Sequence, residues 1–164
     1  MKHVIAAVLL LSLLGCASNE APVPKPRTQL EMRHLQTRTY DTDETRLVMK
    51  AVLNVLQDIG FIVETADAEL GVITAEKWSD VEHTKKELEK AAKKGTVLAQ
   101  SAVLLCTANV SSFGESTRVR VTFQSKMIGP AGGVLRARTV DDAGFYQRFF
   151  AQVDKGVFLQ IEGL

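Results

Sequence analysis

The chain has 164 residues, with 20 Lys and Arg, 19 Asp and Glu, and two Cys. Loss of the N-terminal signal described below removes Lys2 and leaves 19 basic and 19 acidic residues. This balance argues against a nucleic-acid partner and against general attraction to an anionic surface. The ~135 residues beyond the signal and its tether are enough for one domain with a hydrophobic core.

The first fifteen residues (1–15) predict export. Met1, Lys2 and His3 form a short basic start, and residues 4–14 are apolar except for Ser12. A helix of that length spans about 16 Å, half of the ~30 Å hydrocarbon core of a bilayer. The run is therefore too short to cross a membrane and is typical of a secretory signal peptide.

The signal ends in LLGC, which resembles the lipobox of bacterial lipoproteins. The resemblance implies cleavage between Gly15 and Cys16 and attachment of a diacylglycerol to the Cys16 thiol. Ala17 and Ser18 follow without an aspartate, which by resemblance to enterobacterial lipoproteins favours the outer membrane over retention in the inner membrane. The alternative is an ordinary secretory signal with a chance cysteine.

Residues 16–30 are interpreted as the lipidated cysteine and a proline-rich tether. Pro22, Pro24 and Pro26 alternate with other residues and leave little to bury. Such a segment is extended and semi-rigid, and it reaches about 30 Å at ~3 Å per residue. Cys106 then has no intrachain partner, and its apolar surroundings predict a buried, inert thiol.

Residues 31–164 are predicted to form a single domain that begins with a weak strand over residues 32–41. The clearest helix follows, with Asp41 and Glu44 at capping-box spacing and Gly60 placed to end it. Its apolar residues recur at helical spacing and form one broad stripe.

The middle of the chain predicts a strand pair, residues 61–65 and 72–78, joined by a link of hairpin length. Ser79 and Glu82 have capping-box spacing and predict the start of an exposed, weakly docked helix that ends at Gly95. Its charges alternate in sign along the helix.

The last part of the chain predicts a buried strand over residues 103–110, two further strands and a terminal helix. In the TRVRVTFQSKM segment, Val119, Val121 and Phe123 alternate with polar residues and predict one buried face. The terminal helix is expected to start at Asp141 or Asp142 and to pack an aromatic stripe into the core. The members of this stripe are Phe149, Phe150, Val153, Val157 and Ile161, with Phe145, Tyr146 and Phe158 close to it.

This order predicts an α+β fold with a single antiparallel sheet of about five strands. Two amphipathic helices pack on one face, and one charged helix is exposed. The order resembles the helix-grip, TBP-like domains of BamC-type lipoproteins from the outer-membrane β-barrel assembly machinery, and a group of small uncharacterised bacterial lipoproteins. The resemblance rests on the phrases LNVLQDIGF, LGVITAEK, RVRVTFQ and YQRFF…FL. It leaves the topology of residues 80–102 open.

The sequence shows no catalytic constellation and no metal-ligand set. His34 and His83 lie apart, on a weak strand and an exposed helix, without the spacing of metal ligands or of a nucleophile and its base. The glycine-rich stretch from Gly129 to Gly133 has neither a lysine nor a following helix, so it is not a phosphate loop. We therefore expect a protein that is not an enzyme and that has no cofactor.

Four arginines form the candidate partner face. Arg118 and Arg120 share one face of a strand, and Arg136 and Arg138 share one face of the next. Because the helices are predicted on the opposite side, all four are expected on the open face of the sheet. This face is either solvated, with arginine stems covering their neighbours, or it docks an acidic or carbonyl-rich partner through bidentate guanidinium contacts.

The expected function is that of a lipid-anchored, periplasm-facing outer-membrane lipoprotein. It would act as a non-catalytic accessory or scaffold in envelope assembly or transport. Its expected partners are the membrane, through the N-terminal lipid, and envelope proteins, but no nucleic acid. The alternative is a carrier of a small amphipathic or lipid-like ligand in a pocket between the terminal helix and the sheet.

Overall fold

Four helices and six strands make up residues 27–163, which a computed structural model describes. The predicted signal peptide, the cleavage site at Gly15 and Cys16, and most of the predicted tether lie outside these residues. The elements in chain order are α1 (Gln29–Gln36), β1 (Thr37–Tyr40), α2 (Thr45–Asp58), β2 (Ile62–Asp67), β3 (Val72–Asp80), α3 (Lys85–Lys94), β4 (Ser101–Phe113), β5 (Ser116–Ile128), β6 (Val134–Thr139) and α4 (Ala143–Ile161).

All six strands belong to one antiparallel sheet with the order β1-β5-β4-β3-β2. One edge of β5 carries β1 along residues 117–120 and β6 along residues 124–128. In the gap between them, the Phe123 N–H donates to the Tyr146 hydroxyl at 3.3 Å, and the Val140 N–H donates to the Phe123 carbonyl at 2.9 Å. The predicted α+β class with a single antiparallel sheet is confirmed.

The core lies between one face of this sheet and the pair of helices α2 and α4. Phe123, which is fully buried, is at its centre. Its ring centroid lies 4.8 Å from that of Phe145, 5.2 Å from Phe149, 5.7 Å from Tyr146 and 5.8 Å from Phe61. The buried strand face and the aromatic core of the terminal helix were therefore predicted correctly, although Phe158 and Ile161 are exposed.

Cys106 is buried on the same face of the sheet, as its apolar surroundings predicted. Burial raises the pKa of its thiol to about 12. The thiolate is the reactive form, so this thiol is inert in the folded protein.

The prediction of a strand over residues 32–41 was wrong in its first half, which forms α1. Thr28 caps this helix, and its hydroxyl and the Glu31 side chain form a reciprocal capping box. Met32 and Leu35 are three residues apart and both pack against the core, so the burial follows helical spacing and not alternation. Helix α1 also begins within residues 16–30, which had been assigned to the tether.

Two predicted helix starts were also wrong. Glu44 stands at the start of α2 without a side-chain capping bond, so the box predicted from Asp41 does not form. Ser79 continues β3, because the pairing of β3 with β4 extends to Asp80. Helix α3 starts later, where Thr84 forms a capping box with Glu87.

The two predicted helix ends and the character of α3 agree with the structure. Gly60 and Gly95 follow the last turns of α2 and α3. Ala91 is the buried residue of α3, and the rest of the helix is exposed. Among residues 27–163, no helix is both long and apolar enough to span a membrane.

Candidate functional site

The four arginines predicted on one open face lie on two different faces of the sheet. Arg136 is opposite Met127 and Arg138 is opposite Ser125 in the pairing of β6 with β5. Directly opposed residues of antiparallel strands share a face. Met127 and Ser125 continue the alternation of Phe123, so Arg136 and Arg138 lie on the helix-covered side.

The register of β6 explains this correction. Side chains alternate with a period of two, so a shift of one residue in the pairing moves every side chain of a strand to the other face. The turn at 129–133 and an irregularity between Met127 and Ile128 set this register. Neither feature could be read from the alternation within each strand.

Arg118 and Arg120 do lie on the open face, where they are opposite Thr39 and Thr37 of β1. The guanidinium of Arg118 stacks on the ring of Phe113, with Cζ 3.3 Å from the ring centroid. Arg120 is exposed and opposite Thr37, where β1 begins, beside the gap between β1 and β6.

Two further arginines reach this point, Arg33 from α1 and Arg27 from the residues just before it. A depression of about 350 Å³ opens there, and Arg27, Arg33 and Arg120 contribute to its walls together with Asp141. Arg33 also borders an adjoining groove of about 410 Å³ that Arg118 lines. We call these two depressions the arginine notch and define it by Arg27, Arg33, Arg118 and Arg120.

The four arginines of the notch share its lining with one carboxylate, that of Asp141, and none of them forms an ion pair within residues 27–163. The ion pair found in that range joins Arg38 to Asp154 at 3.9 Å, on the other face of the sheet. Arg27 Nη1 donates to the backbone carbonyl oxygen of Asp141 and not to a carboxylate. Guanidinium groups in this state are suited to bind carboxylate or phosphate oxygens in bidentate fashion.

The acidic residue of α1 is already engaged. The Glu31 carboxylate accepts from the Thr28 backbone N–H at 2.7 Å and from the Thr28 hydroxyl at 2.9 Å. These hydrogen bonds lower the pKa of Glu31. The Glu31 carboxylate is therefore held mainly by the helix cap, with a smaller attraction to Arg27.

A buried hydrogen-bond chain ties the notch to the core. Gln36, which also lines the notch, is buried at the end of α1 and donates from Nε2 to the Tyr146 hydroxyl at 3.4 Å. The same hydroxyl accepts from the Phe123 N–H in the gap between β1 and β6. The end of α1 is thereby held against β5, and this fixes the position of Arg33 relative to Arg120.

Sequence reasoning missed Arg27 and Arg33 because it assigned them to the tether and to a strand. The signal that could have found them is the TQLE stretch, in which Thr28 and Glu31 have capping-box spacing. Met32 and Leu35 then continue with helical spacing. Read in this way, the segment places Arg33 on the exposed side of a short helix.

The two histidines within residues 27–163, His34 and His83, lie apart. His34 borders the notch, whereas the His83 ring nitrogen Nε2 is hydrogen-bonded to the Ala99 carbonyl at 2.6 Å. Between residues 27 and 163, no group of three or more His, Cys, Asp or Glu side chains could hold a metal ion.

Neither a protein-family model nor a curated protein matches this chain. Among solved structures, a DUF4468 family protein from Bacteroides ovatus ATCC 8483 superposes with a TM-score of 0.39 at 9% sequence identity. The superposition covers 74% of this chain and 84% of that chain.

Proposed function

We propose that this protein is a lipid-anchored outer-membrane lipoprotein that faces the periplasm and acts as a non-catalytic accessory or scaffold in envelope assembly or transport. In this proposal the arginine notch binds carboxylate groups of a protein partner. The observation that carries it is the convergence of Arg27, Arg33, Arg118 and Arg120 around a single lining carboxylate, that of Asp141, with no ion pair to any described residue.

The position of the notch along the chain supports the same proposal. Arg27 lies within the segment predicted as the tether and two residues before α1, so the notch lies where the domain joins its proposed membrane anchor. A partner that is itself part of the envelope meets this end of the domain when the lipid of Cys16 is in the membrane. The lipobox-like signal and the resemblance to BamC-type domains support this placement.

Replacement of Cys16 by serine tests the anchor. We expect Cys16→Ser to leave the chain uncleaved or to release it into the soluble periplasm, because serine cannot accept the thioether-linked diacylglycerol. The measurement is membrane fractionation together with the mass of the N-terminus. Correct cleavage with unchanged recovery in the outer membrane would show that the lipid does not hold the protein there.

The double variant Arg33→Gln/Arg120→Gln tests the notch. Both side chains are exposed, so the melting temperature should change little, since exposed charges contribute about 0–1 kcal/mol each. Partner binding should weaken about tenfold or more, because interface arginines often carry much of the binding energy. The measurement is the amount of each chain that co-purifies with the lipidated protein from membranes.

The matched control is Arg136→Gln/Arg138→Gln, which removes the same charge from the other face of the sheet. It should leave partner recovery unchanged. If both double variants reduce recovery equally, net charge and not the notch governs binding. If Arg33→Gln/Arg120→Gln retains every co-purifying chain, the notch is a solvated surface.

A further inference from the structure

A cleft on the helix-covered side of the sheet forms a second candidate site, separate from the arginine notch. Lys77 and Ser79 of β3 follow Ile73 and Ala75 on that side but are exposed, because the helices do not cover this end of the sheet. The cleft has a volume of about 310 Å³ and lies beside the first half of α4.

One row of paired residues crosses the strands at this end. Lys77 is opposite Leu104, Leu104 is opposite Ser125, and Ser125 is opposite Arg138. Directly opposed residues share a face, and four strands span about 14 Å. Of these four residues, Lys77 and Leu104 line the cleft, and Ser125 and Arg138 continue the row on the same face beyond it.

The walls of the cleft are apolar. Ile59 and Phe61 line it at the end of α2, and Phe145 and Phe149 line it from α4 above Leu104. Phe145 and Phe149 both stack against the buried ring of Phe123, so their positions are fixed by the core. A preformed apolar cleft with few polar groups is the usual form of a small-molecule site.

The rim of the cleft is cationic and contains no acidic residue. Lys77 Nζ donates a hydrogen bond to the Ile59 carbonyl oxygen at 2.7 Å, which holds the ammonium group at the cleft. The other two N–H groups of this ammonium do not take part in that bond. Arg148 lies on the α4 side, and no carboxylate within residues 27–163 pairs with it.

We propose that this cleft binds a small amphipathic anion, a straight-chain carboxylate of about eight carbons in all. The tail lies against Leu104 and Phe145, and the carboxylate lies between Lys77 and Arg148. The volume of about 310 Å³ is at the small end of the range for ligand sites and suits a ligand of this size. This site requires neither the lipid anchor nor the arginine notch.

Titration with octanoate tests the proposal. The full chain carrying Cys16→Ser, which cannot be lipidated, is titrated while amide chemical shifts are recorded. We expect saturable shifts around Leu104 and Phe145. Octanol and octylammonium should bind at least about fivefold more weakly than octanoate, because neither supplies an anion to the cationic rim.

Two variants test whether the rim of the cleft or the overall charge of the protein governs octanoate binding. Arg148→Gln should raise the dissociation constant of octanoate about five- to tenfold through loss of a charge-assisted contact. Arg46→Gln, an exposed arginine at the opposite end of α2, should leave it unchanged, and so should Arg33→Gln/Arg120→Gln. Absence of shifts around the cleft, equal binding of octanol, or equal effects of Arg148→Gln and Arg46→Gln would overturn the proposal.

Discussion

Phe123→Ala is expected to lower the free energy of unfolding by about 3–5 kcal/mol, because it removes a fully buried ring and leaves a cavity. The ring touches aromatic side chains from α4 and from the segment after α2, so the helices would lose their common contact. A domain of this size should lose about 10 °C or more in melting temperature. The measurement is chemical and thermal unfolding of the purified protein.

Phe158→Ala is the matched control, since Phe158 lies on α4 but is 58% exposed. It should cost less than about 1 kcal/mol, because little apolar area leaves the core. Equal losses for the two variants would contradict the placement of α4 on the β5 face of the sheet.

Gly71→Ala is expected to destabilise the fold by about 3 kcal/mol or more. Gly71 precedes β3 with φ at +65°, where a residue with a Cβ is strained by about 1–2 kcal/mol. A Cβ built there overlaps the backbone carbonyl oxygen of Val110. The overlap also disturbs the bond that the Val110 N–H donates to the Gly71 carbonyl at 2.7 Å, and a buried donor left unpaired costs about 1–3 kcal/mol.

Gly114→Ala separates the cost of backbone strain from the cost of the overlap between a Cβ at position 71 and Val110. Gly114 has φ at +63° in the turn between β4 and β5, and nothing lies within 4 Å of a Cβ built there. This variant should cost only the strain of about 1–2 kcal/mol. If the unfolding curves of the two variants coincide, Val110 does not approach Gly71 as described.

The two cationic surfaces lie on opposite faces of the sheet and suit different kinds of ligand. The arginine notch is polar and open, and it suits carboxylates carried on a protein surface. The cleft beside α4 has apolar walls formed by Phe145 and Leu104, and it suits a small anion with a tail. Because Arg33→Gln/Arg120→Gln leaves the lining of the cleft intact and Arg148→Gln leaves the notch intact, failure of either proposal does not decide the other.

The sequence by itself determined the elements whose burial follows a single strong period. Val119, Val121 and Phe123 alternate with polar residues, and the structure buries all three on one face. The stripe through Phe149 and Val153 has helical spacing and packs on that face. These patterns could be predicted from the sequence because they are local. The buried side chains of a helix or a strand recur with the period of its own backbone.

Tertiary structure alone decided which residues gather at each site. Arg136 and Arg138 alternate as expected, but the face they occupy depends on the register with β5, and a one-residue shift reverses it. Arg33 joins Arg120 only because α1 ends at Gln36, which is hydrogen-bonded to Tyr146 110 positions later in the chain. Register and long-range hydrogen bonds are properties of paired elements, so no pattern within one element contains them.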